Sequence, residues 1–86
     1  MKTPDVNLLL YAINADSPQH KAALGWLESA FASASGIAFC WPAVVGFLRL
    51  STRSGIFSQP LTLDHALELV HAWLDHPAAH VISPTE

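Results

Sequence analysis

The chain has 86 residues, half of them hydrophobic and 13% charged, with a formal net charge of −3. That length holds one domain, over residues 1–86. The low charge fraction excludes a charged disordered tail. Four Lys and Arg against seven Asp and Glu make a poor footprint for gripping long nucleic acid by its phosphates. The single cysteine, Cys40, excludes a disulfide framework and a cysteine-rich zinc module, and a reducing, cytoplasmic setting is the reading that follows. A domain of this size buries only about 60–65% of the surface its unfolded chain exposes. So apolar a chain is expected to present apolar patches, covered by a partner or by further structure.

Pro4 biases Thr3 to extended backbone, and a short strand is expected to lead into a helix over about 8–14, with Asp5 at the junction and Asn7 as a competent cap. Ser17-Pro18 is a second start signal. From there His20, Leu24, Leu27 and Phe31 fall on one face of a helix reaching about Ala34. Ile37–Trp41 is an apolar burst of strand length. Pro42 opens a third helix, with Val44, Phe47 and Leu48 inward, ending near Gly55.

Between Ser29 and Leu48 there are 20 residues without a charge. Ser29, Ser33, Ser35, Gly36, Pro42 and Gly46 interrupt that stretch, which argues against a membrane span. The apolar run after Lys2 is short for a secretory signal, and Asp5 stands where positive charge is needed.

Thr62 caps the last helix, whose apolar stripe is Leu63, Ala66, Leu67, Val70 and Leu74 with Trp73 beside it. His80-Val81-Ile82 reads as a final strand. Short apolar strands alternating with helices predict an α/β fold, a short parallel sheet flanked by helices. The alternation stops after a third strand, so the chain reads as the first part of a larger layered structure.

Asp5 is the leading candidate for chemistry. A carboxylate at the C-terminal end of a first parallel strand sits where such sheets put ligands, and it is a hard oxygen donor suited to Mg²⁺. The same residue also suits the positive end of a helix dipole. Asp64, Glu68, His71 and Asp75 form a polar stripe on the last helix, the ordinary solvated side of an amphipathic helix. None of the five histidines has recognisable ligand spacing, and His20 on an apolar face reads as a structural histidine. Cys40, in its apolar burst, reads as a buried inert thiol. Arg49 and Arg53, four apart, could meet phosphate.

The ordered set Pro4-Asp5-Val6-Asn7-Leu8-Leu9-Leu10-Tyr11-Ala12, Asp16-Ser17-Pro18-Gln19-His20 and Trp26-Leu27 resembles the opening of a PIN domain of the VapC toxin family. Trp41-Pro42, Phe47-Leu48-Arg49-Leu50-Ser51-Thr52, Pro60-Leu61-Thr62 and Ala72-Trp73-Leu74 continue the pattern. The resemblance implies a PIN-like three-layer fold lacking its C-terminal portion. It also implies a Mg²⁺-dependent endoribonuclease, with Mn²⁺ as substitute, neutralised by a VapB-type antitoxin and working as a homodimer or as a hetero-oligomer with that antitoxin. Asp5 matches the first acid of the family's metal cluster, as catalytic and metal-binding residue. Asn7 matches a supporting polar position. Many relatives carry a glutamate where this chain has Gly46, and of the acidic cluster only Asp5 is placed. An inactive chain that binds antitoxin is the alternative the resemblance leaves open.

Overall fold

The computed structural model describes residues 2–82. Four helices surround a two-stranded parallel sheet: α1 (Val6–Ile13), α2 (His20–Ala32), β1 (Ile37–Cys40), α3 (Trp41–Ser51), α4 (Leu63–Asp75) and β2 (Ala79–Ile82). This is the α/β architecture that the alternation of strands and helices predicts, and it is consistent with the PIN-like fold that the resemblance implies. The final four residues of the sequence lie outside the described range.

The expected first strand is reduced to one parallel bridge, Lys2 to Ile37. Lys2 donates its N–H to the Gly36 carbonyl, and its own carbonyl accepts from Ala38. β1 therefore lies between Lys2 and β2, paired with the latter from Ile37↔Ala79 to Cys40↔Ile82. Ile37, Ala38 and Phe39 are fully buried, as a central parallel strand requires. β2 is mostly exposed.

The turn before β1 needs glycine. Gly36 has φ +80°, and a Cβ there would lie 2.5 Å from the Ala78 carbonyl oxygen. Only a residue without a side chain fits both the left-handed backbone and that approach.

Helix starts depart from the sequence reading at two places. Asp5, not Asn7, caps α1: its Oδ1 accepts from the Leu8 N–H at 2.9 Å, and the helix begins at Val6. At the second helix, Ser17 makes a turn of its own. Its Oγ accepts from the Gln19 N–H and donates to Gln19 Oε1, while its carbonyl accepts from His20. With the hydroxyl spent locally, α2 starts three residues later. Thr62 does cap α4, accepting from the His65 N–H at 3.1 Å.

The buried face of α2 is Ala23, Leu27 and Ala30, and Leu24 is exposed. Small alanines let α2 approach α1 closely, which turns Leu24, about 100° further round, toward solvent. Leu63 is likewise exposed, and α4 buries Ala66 and Val70. Trp73 is the anchor of that helix, stacked parallel to Phe39 at 6.0 Å and edge-on to Phe47 at 5.0 Å.

α3 ends at Ser51, earlier than expected, because the Thr52 hydroxyl turns back to the Leu48 carbonyl at 2.7 Å. Ser51 is fully buried; its carbonyl accepts from the Leu61 N–H, yet its Oγ has no hydrogen-bond partner among the described residues. A buried hydroxyl without a partner carries its desolvation cost uncompensated. Ser51→Ala is therefore expected to leave stability unchanged or raise it by about 1 kcal/mol, measured by urea unfolding. A clear loss of stability would show that the hydroxyl has a partner after all.

Candidate functional site

The sheet directs three segments to one edge. Asp5 lies three residues beyond Lys2, as Cys40 and Ile82 lie three beyond Ile37 and Ala79. Asp5 and the start of α3 thus gather at the C-terminal ends of parallel strands, where α/β sheets hold ligands. Asp5 is exposed, and the Leu8 N–H fixes its carboxylate through Oδ1. Asn7 is exposed in the first turn of α1. Positions two apart on a helix do not face each other, so it leaves the helix on a different bearing.

Gly46, on α3, packs against the residue that follows Asp5. A Cβ at Gly46 would sit 3.1 Å from Val6 Cγ2, tighter than ordinary contact. The glycine is a close-approach point between α1 and α3, a role that sequence spacing does not reveal.

The other described acids lie elsewhere. Asp16 Oδ2, in the α1–α2 loop, accepts from the Ser58 hydroxyl at 2.9 Å. Glu28 is exposed on α2, and Asp64, Glu68 and Asp75 are exposed on α4 with His71, the solvated stripe expected there. No three potential ligands cluster among the described residues. His20 is the hydrogen-bonded histidine the sequence suggests, its Nδ1 3.0 Å from the Tyr11 carbonyl oxygen. His76 Nδ1 accepts from the Ala78 N–H, and its ring lies against Phe31. Cys40 is half-buried against the core rather than fully enclosed. Arg49 lies in the last turn of α3, about 12 Å along its axis from Trp41, and Arg53 follows the end of that helix. They do not join Asp5.

A second feature is an apolar groove of about 270 Å³ between α1 and α2, lined by Leu8, Tyr11, Gln19, Ala22, Ala23 and Trp26. Lys2 Nζ stands 5.6 Å above the Trp26 ring at one side. The spacing of these residues, i and i+3 on α1 and i, i+3, i+4 and i+7 on α2, is the available signal. It shows two helix faces, but not that they are left unfilled.

The chain is 41% identical over 85 residues to the ribonuclease VapC37 of Mycobacterium tuberculosis, covering 99% of this chain and 59% of that protein. It is 35% identical over 83 residues to VapC33 of the same organism, covering 96% of this chain and 58% of that protein. It is 33% identical over 82 residues to VapC43, also from that organism, covering 95% of this chain and 56% of that protein. Over nearly all of its residues the chain is similar to VapC ribonucleases. It spans less than two thirds of the length of these VapC relatives. No protein-family model matches it.

The VapC resemblance implies a divalent cation. Mg²⁺ takes oxygen donors in near-octahedral array, one or two of them carboxylates. At this edge the described residues offer one carboxylate, with one oxygen already hydrogen-bonded, and no three potential ligands cluster among them. As a set they do not fit the ion. No helix among the described residues is long and apolar enough to cross a membrane.

Proposed function

We propose that this VapC-type chain serves as the toxin component of a type II toxin–antitoxin pair, a Mg²⁺-dependent endoribonuclease (Mn²⁺ substituting) that cleaves RNA phosphodiester bonds in the cytoplasm. Its partner is a VapB-type antitoxin, and it works as a homodimer or in a hetero-oligomer with that antitoxin. The observation carrying this reading is the placement of Asp5. It is exposed, held by a backbone N–H, and set at the sheet edge where the VapC resemblance puts the first acid. The names of the relatives, ribonucleases in each case, support the same reaction class. The low positive charge agrees with a compact, structured RNA target rather than a broad grip on phosphates. The test is RNA cleavage by the purified chain with Mg²⁺ or Mn²⁺, beside EDTA and Asp5→Ala controls. Cleavage that survives both controls would overturn it.

The α1–α2 groove favours a second reading, an antitoxin-binding module that does not cut. Apolar, lined by two helices and open to solvent, it suits the apolar face of an amphipathic helix. Ala22 is an exposed lining residue. Ala22→Arg fills the groove while keeping a good helix former, and is expected to weaken antitoxin capture at least tenfold, about 1.4 kcal/mol. Thermal stability should stay within about 0.5 kcal/mol of the parent. Titration calorimetry with the co-encoded antitoxin measures it. Unchanged affinity would move the partner surface elsewhere.

A further inference from the structure

We infer that Trp41 is a stacking platform for an unpaired RNA base that flanks the phosphate at Asp5, so that the substrate is single-stranded where it meets this edge. The inference rests on the ribonuclease reading for the class of ligand. It adds which part of the RNA the chain grips and with what.

Of the three tryptophans, two are already engaged. Trp73 stacks on Phe39 and meets Phe47 edge-on, and Trp26 has the Lys2 ammonium over its ring. Trp41 stacks on no ring or cation among the described residues, and 42% of it is exposed. Tryptophan offers a broad, rigid aromatic face and loses little side-chain freedom when something stacks on it.

Its position singles it out. Trp41 follows Cys40, the last residue of β1, and opens α3. Asp5 and Cys40 each lie three residues beyond the Lys2–Ile37 bridge. Neighbouring strands run about 4.8 Å apart, which leaves the Asp5 and Trp41 backbones within about 10 Å of each other. Gly46, the α3 position facing Val6, is about 140° round the helix from Trp41. The indole therefore stands beside the acid rather than over it. That is the station of a neighbouring base, not of the reacting phosphate.

The charges leave stacking as the available grip. The Lys2 ammonium lies over Trp26, Lys21 is in the first turn of α2, and Arg49 and Arg53 lie in the last turn of α3 and beyond it. None of the four cations of the chain stands with Trp41 at the strand ends, so phosphate pairing contributes little there. Base–aromatic stacking needs no charge and accepts every base. It does need a base splayed out of its helix, as in loops, bulges and single strands.

The experiment measures binding without metal. A short fluorescein-labelled oligoadenylate is titrated with the purified chain in EDTA, and anisotropy gives Kd for the parent, Trp41→Ala, Trp41→Leu, Trp41→Phe and Val45→Gln. Abasic and duplex forms of the oligomer are the ligand controls. Trp41→Leu keeps apolar bulk without the ring face, so it tests stacking even where alanine disturbs the fold. Val45, one turn further along α3 and 45% exposed, is the control for a protein contact on the same ridge. The expected result is a Kd about tenfold higher for Trp41→Ala and Trp41→Leu, with Trp41→Phe and Val45→Gln close to the parent. Abasic and duplex oligomers bind more weakly than the single strand. A parent that does not bind below about 1 mM, or a Trp41→Leu chain that binds like the parent, would overturn the inference. So would equal losses in Val45→Gln and Trp41→Leu with a dimeric parent made monomeric by both in sedimentation, which would make the ridge a contact between copies.

Cleavage with Mg²⁺ is measured separately on the same samples. Trp41-dependent binding without any cleavage would keep the stacking site and sink the ribonuclease reading. Cleavage whose KM is unchanged in Trp41→Leu would keep that reading and sink the inference.

Discussion

Asp5→Ala is expected to abolish the proposed Mg²⁺-dependent RNA cleavage and to lower the melting temperature, whereas Asp5→Asn is expected to abolish that cleavage and leave melting nearly unchanged. The two substitutions separate the two uses of one side chain. As the α1 cap, Asp5 satisfies the Leu8 N–H, and its loss to alanine costs about 1 kcal/mol. In a domain of this size that is about 4–8 °C in melting temperature. Asparagine is as good a cap, and its amide oxygen can take the same hydrogen bond. It carries no charge, so the electrostatic partnership with a cation is lost even though the backbone around it is kept. Activity measured alongside thermal melts decides the matter. If Asp5→Asn cleaves like the parent, the carboxylate has no chemical role and Asp5 is a helix cap alone. If Asp5→Asn melts as low as Asp5→Ala, the cap bond is not what stabilises α1.

The double role of Asp5 shows what the sequence carries and what it leaves out. Local signals were legible where one residue dominated. Thr62 stands alone before a clear apolar stripe, and it caps α4. Pro42 sits in the first turn of α3, where its missing N–H costs nothing. The apolar bursts Ile37–Trp41 and His80–Ile82 marked the two strands of the sheet, although Trp41 goes to the first turn of α3.

Where two good signals competed, tertiary structure decided. Asp5 and Asn7 are equally good caps, and the choice follows from where the chain leaves its bridge to β1. Ser17-Pro18 is a sound start signal, but the Ser17 hydroxyl found Gln19 instead. Leu24 and Ala23 are both apolar, and periodicity cannot tell that α1 needs the smaller one against it. The candidate site divides the same way. That an acid stands at the start of α1 is legible in the sequence, whereas the close approach at Gly46 and the groove beside Tyr11 and Trp26 exist only once two helices are placed against each other.

Phe39→Ala is the expected largest stability effect in the molecule. Phe39 is fully buried on the central strand, stacked against Trp73 and tilted against Phe31, both at 6.0 Å. It joins β1 to α2 and α4 at a single ring. Truncation removes the transfer energy of the ring and leaves a cavity that three separate elements must close, a loss of about 3–5 kcal/mol. A domain of this length has about 4–13 kcal/mol in total, so the variant is expected to be marginal or unfolded at 25 °C. Val81 is the control, since it pairs with Phe39 in register but is half exposed. Val81→Ala is expected to cost less than about 1 kcal/mol. Urea unfolding followed by tryptophan fluorescence reads Trp26, Trp41 and Trp73 together. A Phe39→Ala loss no larger than that of Val81→Ala would mean that the aromatic cluster is not the core, and that α4 is held by something other than its Trp73 contacts. The comparison also guards the functional test: cleavage lost in Phe39→Ala must come with lost near-ultraviolet dichroism, while cleavage lost in Asp5→Asn must not.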